Sequence, residues 1–188
     1  VARPRSDEKR AAILEAATTI IVERGLSAPT ASIAKLAGVA NGSFFTYFET
    51  KSDLFNQLYL ELKKDMAAAI MKDFPVNATL RDQTRHVWQA GTNFAMASPH
   101  KRRAMVQLAV SDEITPQTRA AAEALARGFG QFVTRLREHG SLRNVPITFA
   151  GSIMNALSEA TIEAMVKDPD NAQKHCETGF EAFWRAIS

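Results

Sequence analysis

Few side chains in this chain of 188 residues are spaced for covalent or metal chemistry. His86, His100, His139 and His175 fall at no metal-ligand spacing. The adjacent His175 and Cys176 would point about 100° apart on a helix and could not readily share one ion. No glycine-rich loop follows a strand to cradle a phosphate. A non-covalent chemistry is better supported. The stretch from Thr30 to Phe48, TASIAKLAGVANGSFFTYF, reads as two short helices joined at a glycine, the geometry that pushes a helix into DNA. Ala34 lets the two helices approach closely, and Gly38 supplies the left-handed turn. Ile33, Ala37, Val39, Phe44 and Tyr47 recur where such a pair must bury one face.

The elements that must carry this pair are helical from end to end. Periodicity of 3.6 residues and helix punctuation recur along the whole chain, and runs that alternate apolar with polar residues are nearly absent, so the expected fold class is all-α. A first helix opens near Ser6, with Asp7 and Glu8 in its first turn. It buries Ile13, Leu14, Ala17, Ile20 and Ile21, and stops at Gly25. The second begins at Pro29 and the third near Asn41. Thr50-Lys51-Ser52-Asp53 is a capping box that opens a long fourth helix, with Leu54, Leu58, Leu62, Met66 and Ile70 at i+4 spacing until Phe74-Pro75. Five helices fit the remainder, opened or closed by Thr79, Ser98-Pro99, Thr115-Pro116, His139-Gly140, Pro146 and Asp168-Pro169. One of these is expected to run from Thr115 to His139 and to bury Leu125, Phe129, Phe132, Val133 and Leu136.

Hydrophobic residues make up 46% of the chain, enough for a real core. No apolar run reaches the roughly 18 residues of a membrane span, and the expected location is cytoplasmic without membrane contact. The single cysteine, Cys176, cannot form an internal disulfide and fits a reducing compartment as a small buried apolar residue. The net charge of +3 does not identify a nucleic-acid binder. Its distribution says slightly more. Residues 1–51 hold seven basic and five acidic side chains, a balance of +2, and the rest contributes +1. Arg3 and Arg5 lie in a short arm before the first helix, placed to reach phosphates or a minor groove.

From Lys9-Arg10-Ala11-Ala12-Ile13-Leu14-Glu15-Ala16-Ala17 through Gly25 to Gly42-Ser43-Phe44-Phe45-Thr46-Tyr47-Phe48-Glu49-Thr50-Lys51, the sequence resembles the DNA-binding domain of TetR-family transcriptional regulators. The resemblance implies a three-helix DNA-binding domain over residues 1–50 with a helix-turn-helix. A six-helix effector-binding and dimerisation domain over residues 51–188 would follow, giving nine helices in all. It implies double-stranded operator DNA, a second copy of the chain and a small-molecule effector as partners, with no cofactor and no enzymatic activity. Carried over by position, Asn41, Ser43 and Thr46 face base edges or nearby phosphates, Gly42 permits close backbone approach, and Tyr47, Lys51 and Thr30 hold phosphates. Phe45 stands where many relatives place a tyrosine, Ala31 where some carry an arginine, and Asn41 where lysine is frequent. Weaker anchoring follows, compensated by Arg3, Arg5, Lys9 or Arg10.

In the second domain the resemblance implies an effector cavity lined by Trp88, Phe94, Met105, Phe129, Phe132 and Met154. Asn93, Asn155 or Glu159 would supply a polar contact, suiting a mostly apolar molecule. The eighth helix presents the small residues Ala150, Gly151, Ala156, Ala160 and Ala164 to a partner helix, and the ninth adds Phe180, Phe183, Trp184 and Ile187. The expected function is a homodimeric repressor that binds a near-palindromic operator and is released by its effector. The alternative is a helical ligand-binding or protein-interaction module whose DNA-binding surface has decayed.

Overall fold

A computed structural model describes residues 4–125, 130–143 and 145–188. The helices are α1 (Pro4–Arg24), α2 (Thr30–Leu36), α3 (Asn41–Tyr47), α4 (Lys51–Met71) and α5 (Leu80–Ala97). They continue as α6 (Pro99–Ala109), α7 (Pro116–Leu125), α8 (Gly130–Arg137), α9 (Ile147–Lys167) and α10 (Ala172–Ile187). Short 3-10 turns occupy Gly140–Leu142 and Pro169–Asn171. The described residues contain no strand, as the all-α expectation requires. None of their helices is long and apolar enough to cross a membrane. The helix expected over 115–139 is described as α7 and α8, on either side of residues 126–129. Phe129 therefore lies outside the described residues.

Helix ends follow local chemistry where the sequence carries a cap. Thr50 Oγ1 accepts the Asp53 amide at 2.9 Å, satisfying an orphan donor of α4, while Asp53 Oδ2 accepts the Glu49 amide just before the helix at 3.3 Å. Thr79 does the same for α5 by accepting the Asp82 amide at 3.2 Å. At its other end α4 stops at Met71, before the expected Phe74-Pro75. Asp73 turns the chain there with a φ of +56°, a conformation that aspartate tolerates better than most residues.

Two compact units result. The first joins the residues up to Asp65 with Pro99–Glu123, and the second joins Met66–Ser98 with Ala124–Ser188. This division by packing differs from a division at residue 50, because α1 buries its apolar stripe partly against α6. The first core gathers Ile13, Ala17 and Ile21 with Ile33, Phe44, Phe48, Leu54, Phe55, Leu58 and Leu108. Asn56 ties α4 to the segment before α7. Its Nδ2 donates to Glu113 O at 2.8 Å, and its Oδ1 accepts the Thr115 amide at 2.9 Å.

The second core is built on aromatic rings. Trp88 of α5 stacks on Phe183 of α10 with centroids 5.5 Å apart, and its indole N–H donates to the Cys176 carbonyl at 3.0 Å. Cys176 is buried, with its sulfur 3.3 Å from the Thr92 hydroxyl. Arg85 lies 4.7 Å over the Phe180 ring and reaches Glu181 at 3.2 Å.

Candidate nucleic-acid interface

The turn between α2 and α3 is closed by backbone bonds that only a left-handed residue permits. Gly38 has a φ of +66°. Its N–H donates to Lys35 O at 3.2 Å and the next N–H, from Val39, donates to Ala34 O at 3.0 Å. This is a Schellman closure, in which the last helical carbonyls find donors as the chain reverses. Ala34 is 1% exposed, so the close approach expected of its small side chain is realised. Ala40 is extended, and α3 starts at Asn41.

The seven residues of α3 divide sharply. Phe44 is fully buried, as is Phe48 just after the helix, and their rings are 5.9 Å apart. Burying two such rings contributes roughly 1.5–3 kcal/mol each, which fixes the helix's rotation about its own axis. Everything else follows from that rotation. Asn41, Gly42, Ser43, Phe45 and Thr46 are exposed, and Tyr47 is half-buried against the core. The side chains of Asn41, Ser43 and Thr46 make no hydrogen bond among the described residues, so their donors and acceptors remain available.

The flanking residues are less uniform. Thr30 is half-buried in the first turn of α2. Lys51, half-buried at the start of α4, holds its ammonium 5.5 Å from the Phe55 ring centre, which aims the charge while its stem packs. Lys9 is exposed. Arg10 is spoken for. Its Nη2 donates to Gln57 Oε1 at 2.7 Å, its guanidinium lies 5.8 Å over Phe48, and Gln57 donates to Asp53 at 2.8 Å. Arg10 therefore holds α1 against α4, a role that a reading of charge alone had missed. Arg3 and the side chain of Arg5 lie outside the described residues.

Comparison with known proteins bears on this arrangement. The family model described as bacterial regulatory proteins of the tetR family matches residues 13–58, from the middle of α1 into α4. A TetR family transcription regulator from Shewanella sp. PV-4 has a solved structure that superposes with a TM-score of 0.85 at 26% identity, covering 95% of this chain and 97% of that one. Residues 13–58 thus carry a tetR-type DNA-binding region, in a chain that shares the fold of a TetR regulator along its length. A second TetR structure, from Marinobacter aquaeolei VT8, shares the fold with a TM-score of 0.87 at 24% identity, covering 98% of each chain. An HTH-type transcriptional regulator of Bacillus subtilis is 39% identical over 62 residues, 32% of each chain. The matches to curated relatives span about a third of those proteins' length.

The residues expected in a TetR effector cavity are placed differently from one another. Trp88 is 4% exposed, and its ring and N–H are both used by the second core. Phe132 is buried against Phe74 with centroids 5.7 Å apart, and Met154 is half-buried on the second core. Phe94 is half-buried and Asn155 is exposed. Met105 packs on the core of the first unit. Within the second unit the residues form a different cleft of about 370 Å³, lined by Gln89, Asn93, Met165, Gln173, Cys176 and Glu177.

The small-residue face of the eighth expected helix is that of α9. Ala156 and Ala160 are exposed, Gly151 and Ala164 half-buried, and Phe149 is 55% exposed on the same helix. On α10 the expectation needs correcting. Phe180 and Phe183 are 0% and 1% exposed because their rings pair with Trp184 and Trp88 inside the unit, so they offer no surface to a partner. Ile187 is equally buried. Trp184 is half-buried and stacks on His139 at 5.0 Å. Among the described residues no group of His, Cys, Asp and Glu could hold a metal ion.

Proposed function

We propose that this protein is a ligand-responsive transcriptional repressor that binds a near-palindromic operator as a homodimer. The observation that carries the reading is the division of α3, whose buried Phe44 locks the exposed Asn41, Ser43 and Thr46 outward. A helix of seven residues reaches only a few base pairs, so a second copy supplies the other half-site about one helical turn away. The exposed small residues Ala156 and Ala160 of α9 support a self-complementary contact for that copy.

Release follows from binding of a small, mostly apolar effector in the second domain. Phe94 and Met154 support that polarity, being aromatic and thioether groups only half-buried. Because α4 contributes residues to both compact units, a ligand that favours one setting of this helix changes the separation of the two recognition helices. The affinity for DNA then falls by population shift.

Selection from random duplexes by the purified protein at low salt tests the reading. A palindrome should emerge. Lys51→Ala should weaken binding to every duplex and reduce the salt slope by about 1, whereas Thr46→Ala should change preference among sites. A folded dimer that enriches no palindrome overturns the proposal.

A further inference from the structure

Phe45 is the anomaly of the recognition helix. It is 48% exposed although phenylalanine is among the residues most often buried, and its neighbour Phe44 already fills the core beneath α3. The two rings meet edge to face with centroids 5.2 Å apart, so the outer ring is held by the inner one.

The ring has no donor or acceptor and cannot read a hydrogen-bonding edge or hold a phosphate. One apolar group is displayed on a base edge in the major groove, the C5 methyl of thymine. A protein partner is a poorer fit. Specific protein interfaces bury about 800 Å² on each side, and Phe45 is the single large apolar side chain that α3 exposes, among Asn41, Gly42, Ser43 and Thr46. Asn41 lies one helical turn before Phe45, on the same face of α3. An asparagine amide pairs with adenine N6 and N7, so the two side chains together suit an A·T-containing step.

Resting on the DNA-binding reading above, we infer that Phe45 is a specificity-determining residue that packs on a thymine methyl in each operator half-site. Loss of the methyl removes one buried carbon. The affinity should then fall roughly fourfold, the equivalent of about 0.8 kcal/mol per methylene.

The test replaces each thymine of the selected operator in turn by deoxyuridine and measures affinity with the full chain. One or two positions per half-site should show the fourfold loss with the unaltered protein. In Phe45→Ala the same replacements should have no effect, while Phe45→Leu should retain part of it. Because the unaltered protein carries the first arm, instability of a variant cannot mask the answer. Deoxyuridine without effect at every thymine of an enriched palindrome overturns this inference and leaves the DNA-binding reading standing. A methyl effect that persists undiminished in a folded Phe45→Ala assigns the contact elsewhere and also overturns it. Failure to enrich any palindrome overturns both.

Discussion

Arg10 of α1 and Gln57 of α4, 47 residues apart, are joined by a 2.7 Å hydrogen bond that continues through Gln57 to Asp53 in the first turn of α4. The guanidinium also covers Phe48, the residue that ends the recognition helix. Arg10 thus ties α1 both to the start of α4 and to the end of α3.

A positioning role and a phosphate contact make different predictions for this arginine. If Arg10 acts through Gln57, then Arg10→Ala and Gln57→Ala should weaken operator binding to a similar extent, and the double variant should lose little more. The salt slope should stay unchanged, because no phosphate contact is removed. Fluorescence anisotropy over a salt series checks this. A reduced slope in Arg10→Ala alone would assign the residue to the DNA backbone.

The same residue shows where sequence reading stops. Gly38, the Thr50 and Thr79 caps and the apolar stripe of α1 were legible because their signals lie within a few residues of what they control. Arg10 looks like a free charge, since its partner is distant in sequence. Phe180 and Phe183 illustrate a second limit. Periodicity shows that α10 has an apolar face but not whether that face meets its own chain or another. Trp88 and Phe183 settled the matter by stacking, a tertiary pairing that no local pattern encodes. The polar face of α3 was legible for the opposite reason, because burying Phe44 and Phe48 leaves Asn41, Ser43 and Thr46 nowhere to go but out.

Gly179 marks another tertiary constraint. A Cβ built there would overlap the Thr161 side chain of α9 and come within 2.9 Å of the Trp88 ring. Gly179→Ala should therefore destabilise the protein by roughly 1–3 kcal/mol, the usual cost of overpacking, despite alanine's better helix propensity. Thr161→Ala in the same chain should recover part of the loss by removing the nearer atoms. Urea denaturation of the two single variants and the double checks the sign. A stabilised Gly179→Ala would show that helix propensity outweighs the contact.

The proposed contact between copies separates the two faces of the last helices. Ala160→Arg places a long charged side chain on the exposed face of α9 and should yield a folded monomer in sedimentation, with operator affinity reduced to that of one half-site. Phe183→Ala instead empties the second core and should cost about 3–5 kcal/mol of stability. A dimer that persists in Ala160→Arg would move the interface off this face.

Acid should loosen the link between α5 and α10. Burial by itself raises the Glu181 carboxyl, but hydrogen bonds and charge from Arg81 and Arg85 outweigh it and hold the group below its ordinary value of 4.5. A carboxylate depressed in the folded state contributes its stabilisation fully above the unfolded value and loses it as pH falls through the folded one. The Tm gap between the unaltered protein and Glu181→Gln should therefore be open at pH 7 and begin to close below about pH 4.5, a window set by the unperturbed glutamate. Thermal melts of both proteins from pH 7 to pH 3 measure it. A gap that stays constant across that range would mean that Glu181 acts as a neutral hydrogen-bond acceptor and that its charge contributes nothing to holding Arg81 and Arg85.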